Sequence, residues 1–260
     1  MNERSKALCG FTILELMVAM AIFTVICAAM FGLLEMSQKK YSTESQMSGS
    51  FQEARLGVDQ MVRDINVSGY PSMSMFSSTA IPTNFAVSPF AWDPGYMSNT
   101  NCQVGLTCNP TPGDFDLIVE TDFGNGSGVN WIRYQLIGTT LYRSVVAKTG
   151  GDPVAATSAA AVMTPFVENV MNNVPDPLLT QIKTQYPAMF PIGPVPIFQY
   201  TCATPAGPQP CTLAAGSNDP KNISDVDVTL IVKTPHEDLQ TQALQLVELT
   251  GRGHVSNPSN

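Results

Sequence analysis

The sequence predicts an α+β protein in which one long N-terminal helix packs against an antiparallel β-sheet head. The chain opens with a long apolar run that continues into a segment with helical periodicity. Its second half contains several short segments of alternating or β-prone residues, bounded by Gly and Pro. Strands that follow one long helix, rather than alternating with helices, are typical of this fold class.

The first half of the predicted helix is an apolar run. From residue 11 to residue 34 the chain is apolar except for Thr12, Glu15 and Thr24. At about 1.5 Å per residue, a helix of this length spans a bilayer. The run is too long for the apolar core of a secretory signal peptide, and it favours a single membrane span.

The second half of the helix, to about residue 68, is amphipathic. One apolar residue recurs every three or four positions, which predicts a single stripe that packs on the head. The stripe comprises Met47, Phe51, Ala54, Val58, Met61 and Ile65. Gly69 and Pro71 then indicate the helix end.

The head is predicted from strand patterns in the rest of the chain. Residues 72–113 are rich in Ser, Met, Asn and Pro without periodicity, which predicts a long surface loop. Gly138-Thr139 predicts a hairpin, and residues 177–185 a short helix. The predicted strands are residues 115–121, 129–137, 140–147, 195–201, 225–233 and 241–249.

Charge is scarce and negative. Charged residues make up 13% of the chain, against about 25% in average proteins. The net charge is −8, and no basic patch follows the first few residues. Nucleic-acid binding through phosphate neutralisation is therefore disfavoured.

Four cysteines form two local couples, Cys102 with Cys108 and Cys202 with Cys211. Such couples in loops of an exported protein predict two disulfides. Free thiols or a four-thiolate zinc site are the alternatives, although the spacings are wider than usual zinc knuckles.

Glu15 is the unusual residue of the apolar run. A carboxylate buried there without a partner costs several kcal/mol, so we expect a positively charged group beside it. A plain membrane anchor does not explain it. The segment Gly10-Phe11-Thr12-Ile13-Leu14-Glu15 resembles the class III signal of type IV prepilins, which is a short charged leader ending in Gly, followed by Phe and, four residues later, Glu.

This resemblance implies a processing site and an assembly residue. A prepilin peptidase would cut between Gly10 and Phe11 and methylate the new Phe11 amine. Glu15 would then pair with the Phe11 amine of a neighbouring pilin. The implied architecture is the pilin fold, with a leader at 1–10, a transmembrane or filament-core helix at 11–34, an amphipathic stalk at 35–70 and a β-rich head at 71–260.

A second resemblance covers Arg55–Tyr70, which is similar to the helix end of PilW-type minor pilins and of J-type pseudopilins. The segments Glu168-Asn169-Val170 and Phe198-Gln199-Tyr200 also resemble the PilW type. The expected function is therefore a minor pilin of a type IV pilus, with adhesion, twitching or DNA uptake as indirect roles. The alternative is a pseudopilin of type II secretion.

The resemblance also implies where the protein acts and with what. Its partners would be other pilins and an inner-membrane assembly platform. Before assembly the chain would cross the inner membrane once, with a periplasmic head. Afterwards it would lie in a surface pilus or in a periplasmic pseudopilus.

A membrane-anchored periplasmic enzyme or binding protein is the distant alternative, and the sequence supports it poorly. Ser37 and Lys40 fit S-x-x-K, and Lys148 opens a K-T-G, but the middle element of that serine-enzyme signature is missing. His236 and His254 have no Cys or His at ligand spacing. The Gly-rich loop 122–130 offers oxygen atoms for calcium, although it does not fit the EF-hand spacing. No enzymatic activity, cofactor or metal is predicted.

Overall fold

The computed structural model describes residues 12–76, 82–124, 128–158, 162–234 and 243–256. The fold class is α+β, as the sequence predicts. The helices and strands in chain order are α1 (Ile13–Asn66), β1 (Phe90–Ala91), β2 (Asp116–Thr121), β3 (Asn130–Ile137), β4 (Thr140–Ala147), α2 (Pro153–Thr157), β5 (Thr164–Val167), α3 (Leu178–Gln185), β6 (Phe198–Cys202), β7 (Gln209–Pro210), β8 (Ile223–Lys233) and β9 (Leu246–His254).

Helix α1 is a single uninterrupted helix, in agreement with the predicted segment from 11 to 68. It passes Gly32 and Gly49 without a break. Thr12 caps its N-terminus, and Val67 forms its C-terminal cap. Gly69 follows with a φ of 78°, a left-handed conformation that Gly adopts without steric cost and that commonly ends helices.

The strands form two antiparallel sheets. One has the order β1-β2-β3-β4-β5, and the other has the order β7-β6-β8-β9. The predicted hairpin joins β3 to β4, with Ile137 opposite Thr140. The carbonyl oxygen of Asp114 accepts hydrogen bonds from the amides of Ile197 and Phe198, which links the start of β2 to the start of β6.

Strand β8 lies at the centre of the second sheet, and both of its faces are covered. Its alternating residues Val226, Val228, Leu230 and Val232 are buried in the main core, together with residues of α1. On the opposite face Ile231 packs in a smaller cluster with Ile182 of α3 and Phe190. The sheet is therefore sandwiched between α1 and α3.

Glycines allow α1 to lie very close to β9. A Cβ atom added to Gly253 would lie 2.5 Å from Cγ2 of Ile65, and one added to Gly251 would lie 2.6 Å from Cγ1 of Val58. These glycines lie inside the strand because the helix occupies the space of their side chains. The bounds of the strand predicted at 241–249 are wrong, because β9 runs from Leu246 through both glycines to His254. Residues 241–242 of the prediction lie outside the described residues.

Two further predictions need correction. The head buries the stripe only from Ala54 onward, whereas Met47 and Phe51 are 36% and 37% exposed. Residues 72–113 are not simply a surface loop. The described residues of this segment form one short strand, β1, but the segment buries Phe90, Trp92 and Val104 in the head, because isolated large apolar side chains reach the core without periodic structure.

Candidate functional site

The N-terminal part of α1 projects away from the head. Its first buried residue is Ala54, so the segment from Ile13 to Glu53 extends for about 60 Å at the usual helical rise. The apolar side chains of this segment are exposed; Ile13, Phe23 and Phe31, for example, are 81%, 67% and 71% exposed. Within the described part of the chain, α1 is the one helix long and apolar enough to cross a membrane.

Glu15 lies in the first turn of α1, where it completes a reciprocal cap with Thr12. The amide of Thr12 donates to Oε2 of Glu15 at 2.9 Å, and the amide of Glu15 donates to the Thr12 hydroxyl at 3.3 Å. The Thr12 hydroxyl also donates to Oε2, at 3.0 Å. The positive end of the helix dipole favours a carboxylate at this position.

The second carboxylate oxygen of Glu15, Oε1, makes no hydrogen bond to any residue from 12 to 256 that the structure describes. Oε2 of Glu15 thus caps its own helix, and Oε1 is available to a separate group. The predicted processing residues Gly10 and Phe11 lie outside the described residues.

Ion pairs mark the end of the apolar run. Lys39 lies 2.7 Å from Glu35, and Lys40 lies 3.8 Å from Glu44, each pair one turn apart on α1. Both pairs are well exposed, and such pairs contribute only about 0.3–0.5 kcal/mol. They indicate where α1 leaves an apolar environment and enters water.

A buried carboxylate joins α1 to the head. Oδ2 of Asp64 accepts hydrogen bonds from the Tyr134 hydroxyl at 2.5 Å and from Nη2 of Arg143 at 2.9 Å. Its Oδ1 accepts from Gln60 at 2.7 Å. Burial, reinforced by the Asp64 charge, raises the pKa of Tyr134. Gln60 holds the carboxylate on its own helix, while Tyr134 and Arg143 bond it from β3 and β4, so Asp64 links α1 to the first sheet.

The sequence patterns do not predict the role of Asp64, although the residue lies within the Arg55–Tyr70 segment. The available signal was a carboxylate between Met61 and Ile65 of the apolar stripe.

Two more buried ion pairs lie within the first sheet. Arg133 of β3 holds both oxygens of Asp116 of β2, at 2.9 and 2.5 Å. Lys148, directly after β4, lies 3.2 Å from Oε2 of Glu120. Burial lowers the pKa of Lys148 and raises that of Asp116, in both cases against the effect of the ionic partner.

The position of Lys148 also bears on the serine-enzyme alternative. Its ammonium donates to the carbonyl of Phe85 at 3.0 Å as well as to Glu120, and its side chain is 2% exposed. Ser37 lies on the projecting part of α1, far along the chain from the buried head. The two fragments of that signature therefore have separate structural positions.

The four predicted cysteines are bonded in the two local couples, Cys102–Cys108 and Cys202–Cys211. Their sulfurs are thus not available as zinc ligands. The two disulfide-closed loops are in contact, because a Cβ atom added to Gly105 would lie 2.7 Å from Cγ2 of Thr212. Beside them is a groove of about 910 Å³ between the starts of β2 and β6.

The remaining candidate ligands are dispersed. His254 lies at the end of β9, 3.0 Å from Asp225, and His236 lies outside the described residues. In the predicted calcium loop, Asp122 accepts from the amide of Gly124, while residues 125–127 lie outside the described residues. No group of three or more His, Cys, Asp or Glu residues suited to a metal occurs within the described ranges.

Comparison with known proteins identifies the N-terminal segment. Residues 6–36 match the family described as "Prokaryotic N-terminal methylation motif". No curated protein and no solved structure matches the chain. The motif supports a type IV pilin-like protein and points to a structural role, to processing by a prepilin peptidase and to assembly with other pilins. Together with the apolar helix, it fits an anchor in the inner membrane.

Proposed function

We propose that the protein is a minor pilin, a low-copy structural subunit of a type IV pilus that takes part in filament initiation or assembly. The observation that carries this proposal is the exposed apolar helix that opens with Glu15. A soluble domain does not leave some 60 Å of mostly apolar helix without a partner. The methylation motif over the same residues supplies the matching chemistry.

The assembly step follows from the geometry of Glu15. In the membrane the apolar side chains already contact lipid, so their burial between subunits gives little hydrophobic gain. Specific contacts must then determine the axial position of each subunit. The free face of the Glu15 carboxylate would accept the methylated Phe11 ammonium of a neighbouring subunit, and this ion pair would fix the register.

The head supports a minor rather than a major role. The proposed head spans residues 71–260, and a head of this size limits how closely identical subunits pack along a filament. We also propose the division into leader 1–10, membrane or filament-core helix 11–34, stalk 35–70 and head 71–260. In this arrangement the Asp64 contact transmits the position of the filament core to the head.

Mass spectrometry of filaments sheared from the native cells tests the proposal. We expect a peptide that begins at N-methylated Phe11. A Glu15→Gln variant should still be cut, but its amount in the filament fraction should fall at least about tenfold, since the charged partner of the ammonium is lost. Glu35→Gln is the matched control and should be incorporated normally, because among the described residues Glu35 pairs with Lys39 of its own helix and with no other cation.

Two outcomes would contradict the proposal. A peptide that contains uncut Leu8–Phe11, from cells with an active prepilin peptidase, would remove the basis for pilin assembly. A processed chain found only in the membrane fraction, together with loss of protein secretion on deletion, would favour the pseudopilin of type II secretion.

A further inference from the structure

Among the described residues, none of α1 lines the groove between the two disulfide-closed loops. It occupies about 910 Å³ and lies where the chain enters β2 and β6. Its walls come from loop 102–113 on one side and from residues 196–200 and 210–212 on the other. This volume falls within the range of about 300–1,000 Å³ typical of ligand sites.

The walls of the groove are held in place before any ligand arrives. Each disulfide closes one wall, and the contact of Gly105 with Thr212 joins them. The amide of Val104 donates to the carbonyl of Asn218 at 2.8 Å, which ties the first loop to the segment before β8. A preformed site of this kind loses little conformational entropy on binding.

The floor of the groove is apolar and internally satisfied. Phe198 is fully buried, and Phe115 and Leu136 are partly exposed beside it. The Tyr200 hydroxyl donates to the carbonyl of Gly113 at 2.7 Å. The carboxylate of Asp116 accepts hydrogen bonds from Arg133 and Gln135, so its charge is already paired inside the protein.

The rim carries polar side chains without partners inside the protein. Asn109, Asp114, Gln199 and Thr212 are exposed, and their side chains make no hydrogen bond to any residue in the described ranges. Asp114 stays exposed, but the neighbouring groove walls desolvate part of its carboxyl group and raise its pKa. Donors that reach Asp114 from a ligand therefore replace lost hydration.

The groove is rich in hydrogen-bond acceptors. Four prolines line it, namely Pro110, Pro112, Pro196 and Pro210, and proline has a carbonyl but no amide hydrogen. No Lys, Arg or His lines the groove among the described residues. Anionic ligands such as phosphates or acidic sugars would therefore meet a carboxylate without a counter-charge.

We propose that this groove binds a neutral saccharide. Its hydroxyl groups would donate to Asp114 and to the amide oxygens of Asn109 and Gln199, while its apolar C–H face packs on Phe115. A cationic peptide is the rival ligand. The groove fits it less well, because only one of its two carboxylates is free of an internal cation.

The test uses the full chain in dodecylphosphocholine micelles, since glucoside and maltoside detergents would themselves compete for the groove. The protein is applied to an array of neutral, acidic and amino oligosaccharides, and the strongest hit is titrated by calorimetry. Asp114→Asn should weaken binding at least about tenfold, because a charge-assisted hydrogen bond is lost. Gln199→Ala should weaken it by about threefold to tenfold.

Matched controls lie outside the groove. Asp59→Asn on α1 and Gln185→Ala on α3 change the same residue types at exposed positions and should bind like the unaltered chain. Absence of any neutral hit, selective binding of acidic or amino sugars, or binding that survives both groove substitutions would each overturn the proposal. Because the assay needs no filament, its failure is distinguishable from failure of pilus assembly.

Discussion

Replacement of Lys148 by Met removes an ammonium from the interior of the head and keeps most of the side-chain volume. The partner, Glu120, is fully buried and then lacks a counter-charge. Loss of one partner of a buried pair costs about 3–5 kcal/mol. Glu120 keeps hydrogen bonds from Nε1 of Trp131 and from the amide of Val87, both at 3.0 Å, so we expect the lower end, about 3 kcal/mol.

The loss can be measured as a change in thermal unfolding. For a domain of this size, 1 kcal/mol lowers Tm by about 2–4 °C, so Lys148→Met should unfold about 6–12 °C earlier by near-UV circular dichroism. Lys233→Met is the control, since Lys233 is only partly buried and forms no ion pair with a described residue. Its Tm should change by less than about 2 °C.

The pH dependence of the Lys148→Met variant tests the reason for the loss. Without Lys148, a proton bound to Glu120 removes the cost of an uncompensated buried charge. The folded state of the variant then binds more protons than the unfolded state, so the stability of the variant falls as pH rises. The gap between variant and wild type should therefore be smaller at pH 5 than at pH 8.

A double variant provides the second check. Glu120→Gln combined with Lys148→Met should recover at least half of the lost stability, because no uncompensated charge remains. A Lys148→Met loss below about 1 kcal/mol with no pH dependence would refute the view that this pair is a buried ionic contact.

Two further predictions concern packing and acid behaviour. Gly253→Ala should destabilise the head by about 1–3 kcal/mol in urea unfolding, because its Cβ would lie 2.5 Å from Ile65. Gly150→Ala is the control and should be neutral, because no atom lies within 4 Å of its added Cβ. An equal loss of stability in both variants would contradict this explanation. Burial, together with the nearby Asp152, raises the pKa of Asp93, so the folded chain binds more protons and this contribution to stability falls as pH rises above about 4. Asp93→Asn should therefore gain stability relative to wild type between pH 4 and pH 7, and a constant difference across that range would contradict the assignment.

The elements that the sequence predicts well are those specified by local patterns. The bounds of β4 match the prediction at both ends, because β-prone residues start directly after the Gly138-Thr139 turn. The alternation along β8 identifies its core face for the same local reason. Residues 195–197 do not join β6, although the strand signal begins there. The amide of Ile197 donates to the Asp114 carbonyl, a partner the sequence alone does not reveal.

The contacts that the sequence does not predict depend on topology. Asp116 meets Arg133 because β2 and β3 pair in a register that places Asp116 opposite Gln135, two positions along the strand from Arg133. The groove likewise combines segments far apart in the chain, so no local motif marks it. At the N-terminus the opposite holds, since the local Gly10–Glu15 motif predicts the processing residues Gly10 and Phe11, which lie outside the described residues.

The apolar stripe of α1 shows the limit of periodicity most directly. Met47 and Phe51 are apolar and follow the same helical spacing as Val58 and Met61. Of these four residues, only Val58 and Met61 are buried by the head. Helical periodicity predicts which face of a helix is buried from water. It does not predict whether the residues that bury this face belong to the same chain or to another one. Met47 and Phe51 lie next to the exposed apolar segment of α1 along the chain. Under the proposed function, neighbouring subunits bury these two residues together with that segment. The boundary at Ala54 then separates the part of α1 that folds the monomer from the part that builds the filament.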